Sequence, residues 1–253
     1  MRADAALAAQ FVSAGLDWIV PDWPAPAPVR AFSTTRNGVG GRAADFARDR
    51  ADAAARALLK RFLPGEPLWL AQMHGTAIAS ADAPHGRAPQ ADVAVSHAPG
   101  HVCAVLSADC LPVLFADRQG SVVTAAHAGW RGLASGVLEA AVASMRTEPA
   151  DVLAWLGPAI GPGAFEVGPD VYAAFCDRDA AASAYFVAAR EGKWLADLYA
   201  LAGRALARAG VDPSAIHGGG RCTYTERASF YSYRRGGADR AARMATLIWL
   251  EPG

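Results

Sequence analysis

Three apolar runs in the middle of the chain, each closed by polar or turn residues, limit what this sequence can fold into. They span residues 102–106, 111–115 and 122–126. Apolar runs of this length between turn residues are typical of buried strands rather than helices. Cys110 and His127 each fall at the end of one of these predicted strands. Strand ends are held rigidly, so they suit side chains that must keep a fixed geometry.

The remaining periodicity predicts a mixture of further strands and helices. Strands are predicted at 29–34, 68–72, 91–95, 152–156 and 245–250, a short strand or turn at 230–233, and helices at 1–15, 44–62, 133–145, 169–175 and 196–209. Strands outnumber the helices available to connect them, which favours mixed or antiparallel sheets over a regular βαβ array. We therefore expect an α+β fold of mixed and antiparallel sheets flanked by helices. Residues 1–253 are expected to form a single domain, with residues 1–28 as a peripheral N-terminal segment.

Charge and cysteine content exclude several classes of protein. Lys and Arg together equal Asp and Glu at 24 each, so the chain lacks the basic surface of a nucleic-acid binder. Four cysteines in 253 residues do not make a disulfide framework. The N-terminus lacks the features of a secretion signal, and no apolar run approaches the ~20 residues of a membrane span. We expect a cytoplasmic protein with free thiols.

Three residues form a candidate metal site: His74, Cys110 and His127. Each lies at the end of a predicted strand beside Gly or Ala, where an ion can approach. Catalytic zinc is commonly held by three imidazole, thiolate or carboxylate ligands plus water. The spacing matches no local zinc-finger pattern, however, so a core cysteine and hydrogen-bonded histidines remain an alternative interpretation.

Several motifs together resemble the YfiH/YlmD family, also called DUF152 or the polyphenol oxidase (laccase) family. They are QMHGT (72–76), SADCLPVLFAD (107–117), AAHAGWRG (125–132), GPAIGPGAFEVG (157–168), CT (222–223) and FYSYRR (230–235). The resemblance runs from about Phe32 to the C-terminus. It implies a YfiH-like fold and Zn²⁺ held by His74, Cys110 and His127. The implied activity is phosphorolysis of adenosine, inosine and related purine nucleosides, accompanied by adenosine deamination.

Other residues near these motifs are candidates for the chemistry. Arg36, Arg131 and Arg234 are predicted to bind phosphate, because a guanidinium group matches it with paired donors. Asp109 is a candidate acid or base, with a role in orienting a ligand histidine as its alternative. Arg131 and Cys110 are also predicted to be catalytic residues. The expected partners are a purine nucleoside and phosphate, and the expected state is a monomer or weak homodimer.

The chain departs from the family pattern in two places. The stretch GRAADFARDR at 41–50 lacks the His and Asn usual there, which puts any substrate contact from that stretch in doubt. Ala159, Gly163 and Ala164 stand where the family carries cysteines. Thiols at those positions cannot be required for the chemistry of this protein.

Three other functions remain open from the sequence. Two His and one Cys also hold copper in blue-copper centres with a weak axial Met, so a copper-dependent polyphenol oxidase is an alternative. Against it, Met73 neighbours His74 on a predicted strand and would point the other way. A multicopper oxidase also needs many more histidines than the six in this chain. A cysteine hydrolase would use Cys110 as nucleophile and His127 as base. The third alternative is a zinc-stabilised binding module without activity.

Overall fold

Strands and helices alternate irregularly along the chain. The computed structural model describes residues 4–47 and 53–252. Its strands are β1 (Val29–Ser33), β2 (Pro67–Leu68), β3 (Ile78–Ser80), β4 (Val93–Ser96), β5 (Val102–Ser107), β6 (Leu111–Asp117), β7 (Val123–Ala128), β8 (Val152–Leu156), β9 (Glu166–Val167), β10 (Phe186–Ala188), β11 (Trp194–Ala196), β12 (Ile216–Gly218) and β13 (Met244–Leu250). Its α-helices are α1 (Ala5–Ser13), α2 (Ala53–Lys60), α3 (Trp130–Ser135), α4 (Val137–Ser144), α5 (Pro169–Cys176) and α6 (Leu198–Arg208).

The strands form two larger sheets and one small one. The six-stranded sheet has the order β12-β8-β6-β7-β4-β3, the four-stranded sheet β1-β13-β5-β2, and the small sheet β10-β11-β9. Most neighbours are antiparallel, whereas β12–β8, β3–β4 and β2–β5 are parallel. The predicted α+β class, with mixed sheets flanked by helices in a single domain, is confirmed.

The central apolar runs become the buried strands of both large sheets. Every residue of β5, β6 and β7 is buried. On β5, Cys103 and Val105 belong to the core shared with the six-stranded sheet, while the intervening side chains join a second core with α1 and α2. This alternation is the two-residue period of a strand. Burial on both faces holds the ends of β5, β6 and β7 in place.

The N-terminal segment packs against the outer face of the four-stranded sheet. Phe11 of α1 contacts Trp18 and Phe32 with ring centroids 5.3 and 5.1 Å apart. Such edge-to-face aromatic pairs are worth about 0.5–1.5 kcal/mol beyond the area they bury. Residues predicted to be peripheral therefore supply part of a core.

The predicted helix at 133–145 is wrong as a single element. Gly136 adopts φ 99 and ψ 31 and separates α3 from α4. A left-handed residue ends a helix, and Gly adopts that conformation at little cost.

Among the described residues, no helix is long and apolar enough to cross a membrane.

Three other segments differ from the predicted elements. Of the helix predicted at 44–62, the described residues contain α2, whereas residues 44–47 are not helical. There the Asp45 carboxylate accepts hydrogen bonds from the backbone N–H groups of Ala47 and Arg243. Residues 48–50 of the divergent 41–50 stretch lie outside the described residues. The strand predicted at 68–72 is limited to β2, and the strand or turn predicted at 230–233 is irregular over 230–232, with a turn only from Tyr233.

Candidate metal centre

The three side chains predicted to bind metal meet at one point. One ligand atom from each of His74, Cys110 and His127 lies within 4.8 Å of the others. Nε2 of His74 is 3.8 Å from Sγ of Cys110, and the two imidazole ring centroids are 4.8 Å apart. In the part of the chain that the structure describes, this is the one His/Cys/Asp/Glu group with metal-ligand proximity.

Strand ends position two of the three residues. His127 lies on β7 opposite Pro112 of β6, and its side chain is buried. Cys110 is half-buried in the turn from β5 to β6. The preceding residue, Asp109, has φ 87 and lies where the chain leaves β5 of the four-stranded sheet for β6 of the six-stranded sheet.

His74 comes instead from the loop after β2. The Gln72 side chain fixes this loop to β5, because it donates to the Leu106 carbonyl at 2.8 Å and accepts from the Leu106 N–H at 2.7 Å. These two bonds replace the strand pairing that the sequence predicted for Gln72. His74 itself has φ 59, which is uncommon for a residue with a side chain.

A fourth residue, Asp92, forms hydrogen bonds with His127 and with the backbone of the loop that carries His74. Its carboxylate is fully buried and accepts a 2.8 Å hydrogen bond from Nδ1 of His127 and others from the backbone around His74. Sequence reasoning missed it. The available signal was an acidic residue inside the apolar stretch 91–95, because a charge there must be hydrogen-bonded or paired.

The three ligands influence one another electrostatically. Burial alone would raise the pKa of Cys110, but the charge and hydrogen bond of His127, together with His74, lower that pKa to about 6. Burial alone would lower the pKa of His127, but the negative charge of Cys110 and the hydrogen bond to Asp92 raise it to about 9. The site therefore favours a thiolate, which is the form that binds a metal.

The donor set and the space around it fit a zinc ion. Two imidazoles and one thiolate are ordinary zinc ligands. Because Nδ1 of His127 donates to Asp92, its Nε2 is the nitrogen left for a ligand. Gly129 lacks a side chain where a Cβ would come within 3.0 Å of Sγ of Cys110. The exposed His74 leaves the centre open to the adjoining cleft.

This cleft has a volume of about 660 Å³, within the range of small-molecule sites. Its lining includes the three candidate ligands and three residues predicted for catalysis or phosphate binding, Asp109, Arg131 and Arg234. Sequence reasoning missed the contributions of Trp130 and Arg243. Trp130 lies inside a recognised motif, whereas nothing local in the sequence marks Arg243.

The two cleft arginines that were predicted to bind phosphate, Arg131 and Arg234, lie against aromatic rings. The Arg131 guanidinium is exposed and stacks 4.3 Å from the ring centroid of Trp130. Arg234 lies 5.5 Å from the ring centroid of Phe165 and donates from Nη1 to the Glu166 carbonyl at 2.9 Å. Both are cations on the wall of the cleft.

Arg36 is not brought to this cleft. Its guanidinium donates to the Arg227 carbonyl at 3.0 Å, lies 3.5 Å from Oδ1 of Asp239 and covers the ring of Tyr231. It is absent from the cleft lining among the residues described. The contacts of Arg36 therefore tie the C-terminal loops together, and the geometry gives no support to its predicted phosphate contact.

Asp109 joins the C-terminal loops to the turn that carries Cys110. Its carboxylate accepts hydrogen bonds from the Thr223 hydroxyl at 2.6 Å, the Ser232 hydroxyl at 3.0 Å and the backbone N–H of Arg234 at 2.6 Å. It makes no hydrogen bond to a ligand histidine among the bonds of the described residues. Its role as an acid or base stays a prediction.

Comparison with known proteins identifies the chain's relatives. A family model described as multi-copper polyphenol oxidoreductase laccase matches residues 32–251. The purine nucleoside phosphorylase PA4543 of Pseudomonas aeruginosa is 48% identical over 92% of this chain and 98% of its own. The purine nucleoside phosphorylase YfiH of Escherichia coli is 46% identical with the same coverage of the two chains.

Solved structures show the same fold. The crystal structure of Neisseria meningitidis protein NMB0706, of the DUF152 family, has a TM-score of 0.86 and 44% identity, covering 93% of this chain and all of that one. Bacillus licheniformis YfiH has a TM-score of 0.79 and 26% identity, covering 88% and 93% of the two chains. With the family model, these relatives show that the chain belongs to the YfiH (DUF152) family, as its motifs predicted.

Proposed function

We propose that this protein is a zinc-dependent purine nucleoside phosphorylase. It would convert adenosine, inosine and related nucleosides, with phosphate, to the free base and ribose 1-phosphate. The observation that carries the proposal is the meeting of His74, Cys110 and His127 beside a cleft of about 660 Å³. Relatives named as purine nucleoside phosphorylases, 46–48% identical over nearly the whole chain, support the same reaction.

The metal is proposed from the chemistry of its donors. His74, Cys110 and His127 would hold it, and Asp92 keeps the Nδ1 proton of His127 away from it. When bound, zinc supplies a Lewis acid with net positive charge, because two neutral imidazoles and one thiolate leave it near +1. All four cysteines of the chain are free, which is consistent with the cytoplasmic location that we also propose.

The cleft supplies the other contacts that phosphorolysis needs. Arg131 and Arg234 are proposed to bind phosphate, since a guanidinium fork pairs with two anionic oxygens. Phosphate attacks C1′ of the ribose, the glycosidic bond breaks, and the base leaves with the bonding electrons and takes up a proton. Asp109 lines the cleft and is the proposed acid or base, whereas Cys110 acts by holding the metal.

Adenosine deamination is proposed as a second activity of the same site. Water replaces the amino group at C6 of adenosine, and inosine and ammonia are released. The base would lie against the aromatic walls of the cleft, formed by Trp130, Phe165 and Tyr233. Tyr233 is 48% exposed, and because the Arg240 guanidinium lies 4.6 Å from its ring centroid, the base would contact the opposite face of the ring.

The test is incubation of the purified protein with adenosine, with and without phosphate, followed by chromatography. We expect adenine and ribose 1-phosphate only when phosphate is present, and inosine in both reactions. His74→Ala, which removes the exposed ligand, should abolish both activities. Metal analysis should find about one zinc per chain. Equal product from the wild type and His74→Ala would contradict the proposal.

Copper-dependent phenol oxidation is a second candidate because of the description of the matching family model. The same two imidazoles and thiolate suit copper, with Met73 as the nearby thioether. Met73 is 61% exposed. Visible absorption near ~600 nm from the purified protein, with phenol oxidation that follows copper content, would favour this function over phosphorolysis.

A cysteine hydrolase is the third candidate, favoured by the lowered pKa of Cys110, about 6, beside His127. This function predicts that activity survives when zinc is removed. It also predicts that a thiol reagent inactivates the metal-free protein by modifying Cys110. Loss of activity when zinc is removed, followed by its return when zinc is restored, would exclude the hydrolase.

A further inference from the structure

Asp92 is a buried carboxylate with no exposed surface. It lies immediately before β4, which pairs antiparallel with β7. A buried charge is costly unless hydrogen bonds compensate it. Both oxygens of Asp92 are fully engaged, and every donor that reaches them belongs either to a candidate metal ligand or to a residue beside one.

One part of this network holds the loop that carries His74. The backbone N–H of His74 donates to Oδ1 of Asp92 at 3.0 Å, and the N–H groups of Met73 and Gly75 donate to Oδ2 at 3.0 and 2.8 Å. Three successive N–H groups that converge on one anion form a concave binding site for it. The arrangement requires the left-handed backbone of His74, φ 59, and its hydrogen bonds offset the cost of that conformation.

The other part holds His127. Nδ1 of His127 donates to Oδ1 of Asp92 at 2.8 Å, and the backbone N–H of His127 donates to the Asp92 carbonyl at 2.8 Å. Two contacts from one residue fix both the ring and the backbone of His127. The ring is thereby oriented with Nε2 toward Cys110 and His74, the two other members of the candidate site.

We propose that Asp92 is the positioning residue of the metal centre: one carboxylate sets the relative placement of both imidazole ligands. This inference rests on the metal centre of the proposed function. Asp92 is fully buried and does not line the cleft among the described residues, so we assign it no contact with the substrate. Its effect passes through His74 and His127, because removing it frees the loop of one ligand and the ring of the other.

Asn is the informative replacement for Asp92. The carboxylate accepts four hydrogen bonds, two at each oxygen. An amide of the same shape has one oxygen and one NH₂ group, which only donates. In either orientation of Asp92→Asn, two N–H donors therefore face another donor. The variant keeps the volume of the side chain but loses half of the network.

Asp117→Asn is a matched control. Asp117 is also a buried carboxylate, and it accepts hydrogen bonds from the N–H groups of Ser121 and Val122 and from the Ser121 hydroxyl. These donors form the turn between β6 and β7 and include no candidate ligand. Both variants should lose stability, so a difference in metal binding between them is not a general effect of removing a buried charge.

The experiment measures zinc affinity by chelator competition, and amide hydrogen exchange of the metal-free proteins. For Asp92→Asn we expect zinc affinity to fall about 10–100-fold and exchange at Met73, His74 and Gly75 to accelerate. Asp117→Asn should match the wild type in both. Wild-type zinc affinity in Asp92→Asn, with or without faster exchange, would overturn the proposal.

A failure of the proposed function would be distinguishable. If the wild type binds no zinc, zinc is removed from the proposed function. Hydrogen exchange then decides the role of Asp92 alone: faster exchange at 73–75 in Asp92→Asn supports its hold on the loop, and unchanged exchange overturns it.

Discussion

Gly129 lies so close to His74 that no side chain fits between them. A Cβ on Gly129 would be 2.8 Å from Cδ2 of His74 and 3.0 Å from Sγ of Cys110. The backbone of Gly129 has φ −64 and ψ 157, a conformation open to any residue. Glycine is therefore required here for space beside two ligands and not for conformational freedom.

The variant Gly129→Ala should disturb the site while sparing the fold. The added methyl must push the His74 ring or the Cys110 sulfur away, and a displacement of about 1 Å at a reacting centre can cost on the order of 100-fold in rate. We expect that loss in phosphorolysis, with weaker zinc binding and a nearly unchanged unfolding temperature. Steady-state kinetics and thermal unfolding measure the two effects.

Gly163→Ala is the control for Gly129→Ala. A Cβ on Gly163 would meet nothing within 4 Å. Like Gly129, Gly163 lies in a loop that belongs to one of the family motifs. It should keep wild-type activity and zinc affinity. If Gly129→Ala does the same, the close approach to His74 has no functional meaning.

Much of the framework of the site could be predicted from local sequence. The buried runs 102–106, 111–115 and 122–126 could be predicted as strands because they are too short for typical helices and are bounded by turn residues. The motifs around His74, Cys110 and His127 nominated the three side chains that meet. Each of these inferences needed only residues adjacent in the chain.

The features that sequence reasoning missed depend on partners distant in the chain. Asp92 binds residues 73–75 and His127, and nothing beside Asp92 in the sequence announces those donors. Gln72 was predicted to lie in a strand. In the structure its side chain, instead of its backbone, forms hydrogen bonds with the backbone of Leu106. Arg36 resembles a phosphate ligand by type, but Asp239 and Arg227 engage it elsewhere.

Asp109→Asn tests whether Asp109 supports the cleft or transfers a proton. The carboxylate receives three hydrogen bonds, one of them from the backbone of Arg234. An amide cannot accept at both ends, so we expect the free energy of unfolding to fall by about 1–3 kcal/mol. The KM for phosphate should rise, because the loop carrying Arg234 is released. Chemical denaturation and phosphate-dependent kinetics measure both.

Thr223→Val provides the comparison for Asp109→Asn. It removes one hydrogen bond to Asp109 and leaves the contact with Arg234, so stability should fall while the KM for phosphate stays near the wild-type value. A different pattern in Asp109→Asn, with kcat reduced about 10²–10⁴-fold and KM unchanged, would instead indicate proton transfer by Asp109.

The thiol of Cys110 should react at unusually low pH in the metal-free protein. Its pKa is lowered to about 6 by His127 and His74, against the effect of burial. The thiolate is the nucleophile, so alkylation should increase as pH rises through about 6 and level off near neutrality, whereas an ordinary cysteine has a pKa near ~8.5. Iodoacetamide labelling followed by peptide mass mapping distinguishes Cys110 from Cys103, whose pKa burial raises.

His127→Ala and zinc are the two controls for that reactivity. Removing the His127 cation should move the alkylation midpoint of Cys110 upward, toward the ordinary value. Bound zinc should protect Cys110 at every pH tested. A midpoint near ~8.5 in the metal-free wild type would contradict the coupling between the thiol and the two imidazoles.

Alanine substitutions at two glycines, one inside a helix and one between two helices, should change the free energy of unfolding in opposite directions. Gly203 lies inside α6, where an added Cβ would meet nothing within 4 Å. Gly203→Ala should raise the free energy of unfolding by about 0.5–1 kcal/mol, because Gly gives up more conformational freedom in a helix. Gly136 has φ 99 between α3 and α4, so Gly136→Ala should lower that free energy by about 1–2 kcal/mol. Urea unfolding of both variants decides the matter, and stabilisation by Gly136→Ala would contradict the left-handed break that separates the two helices.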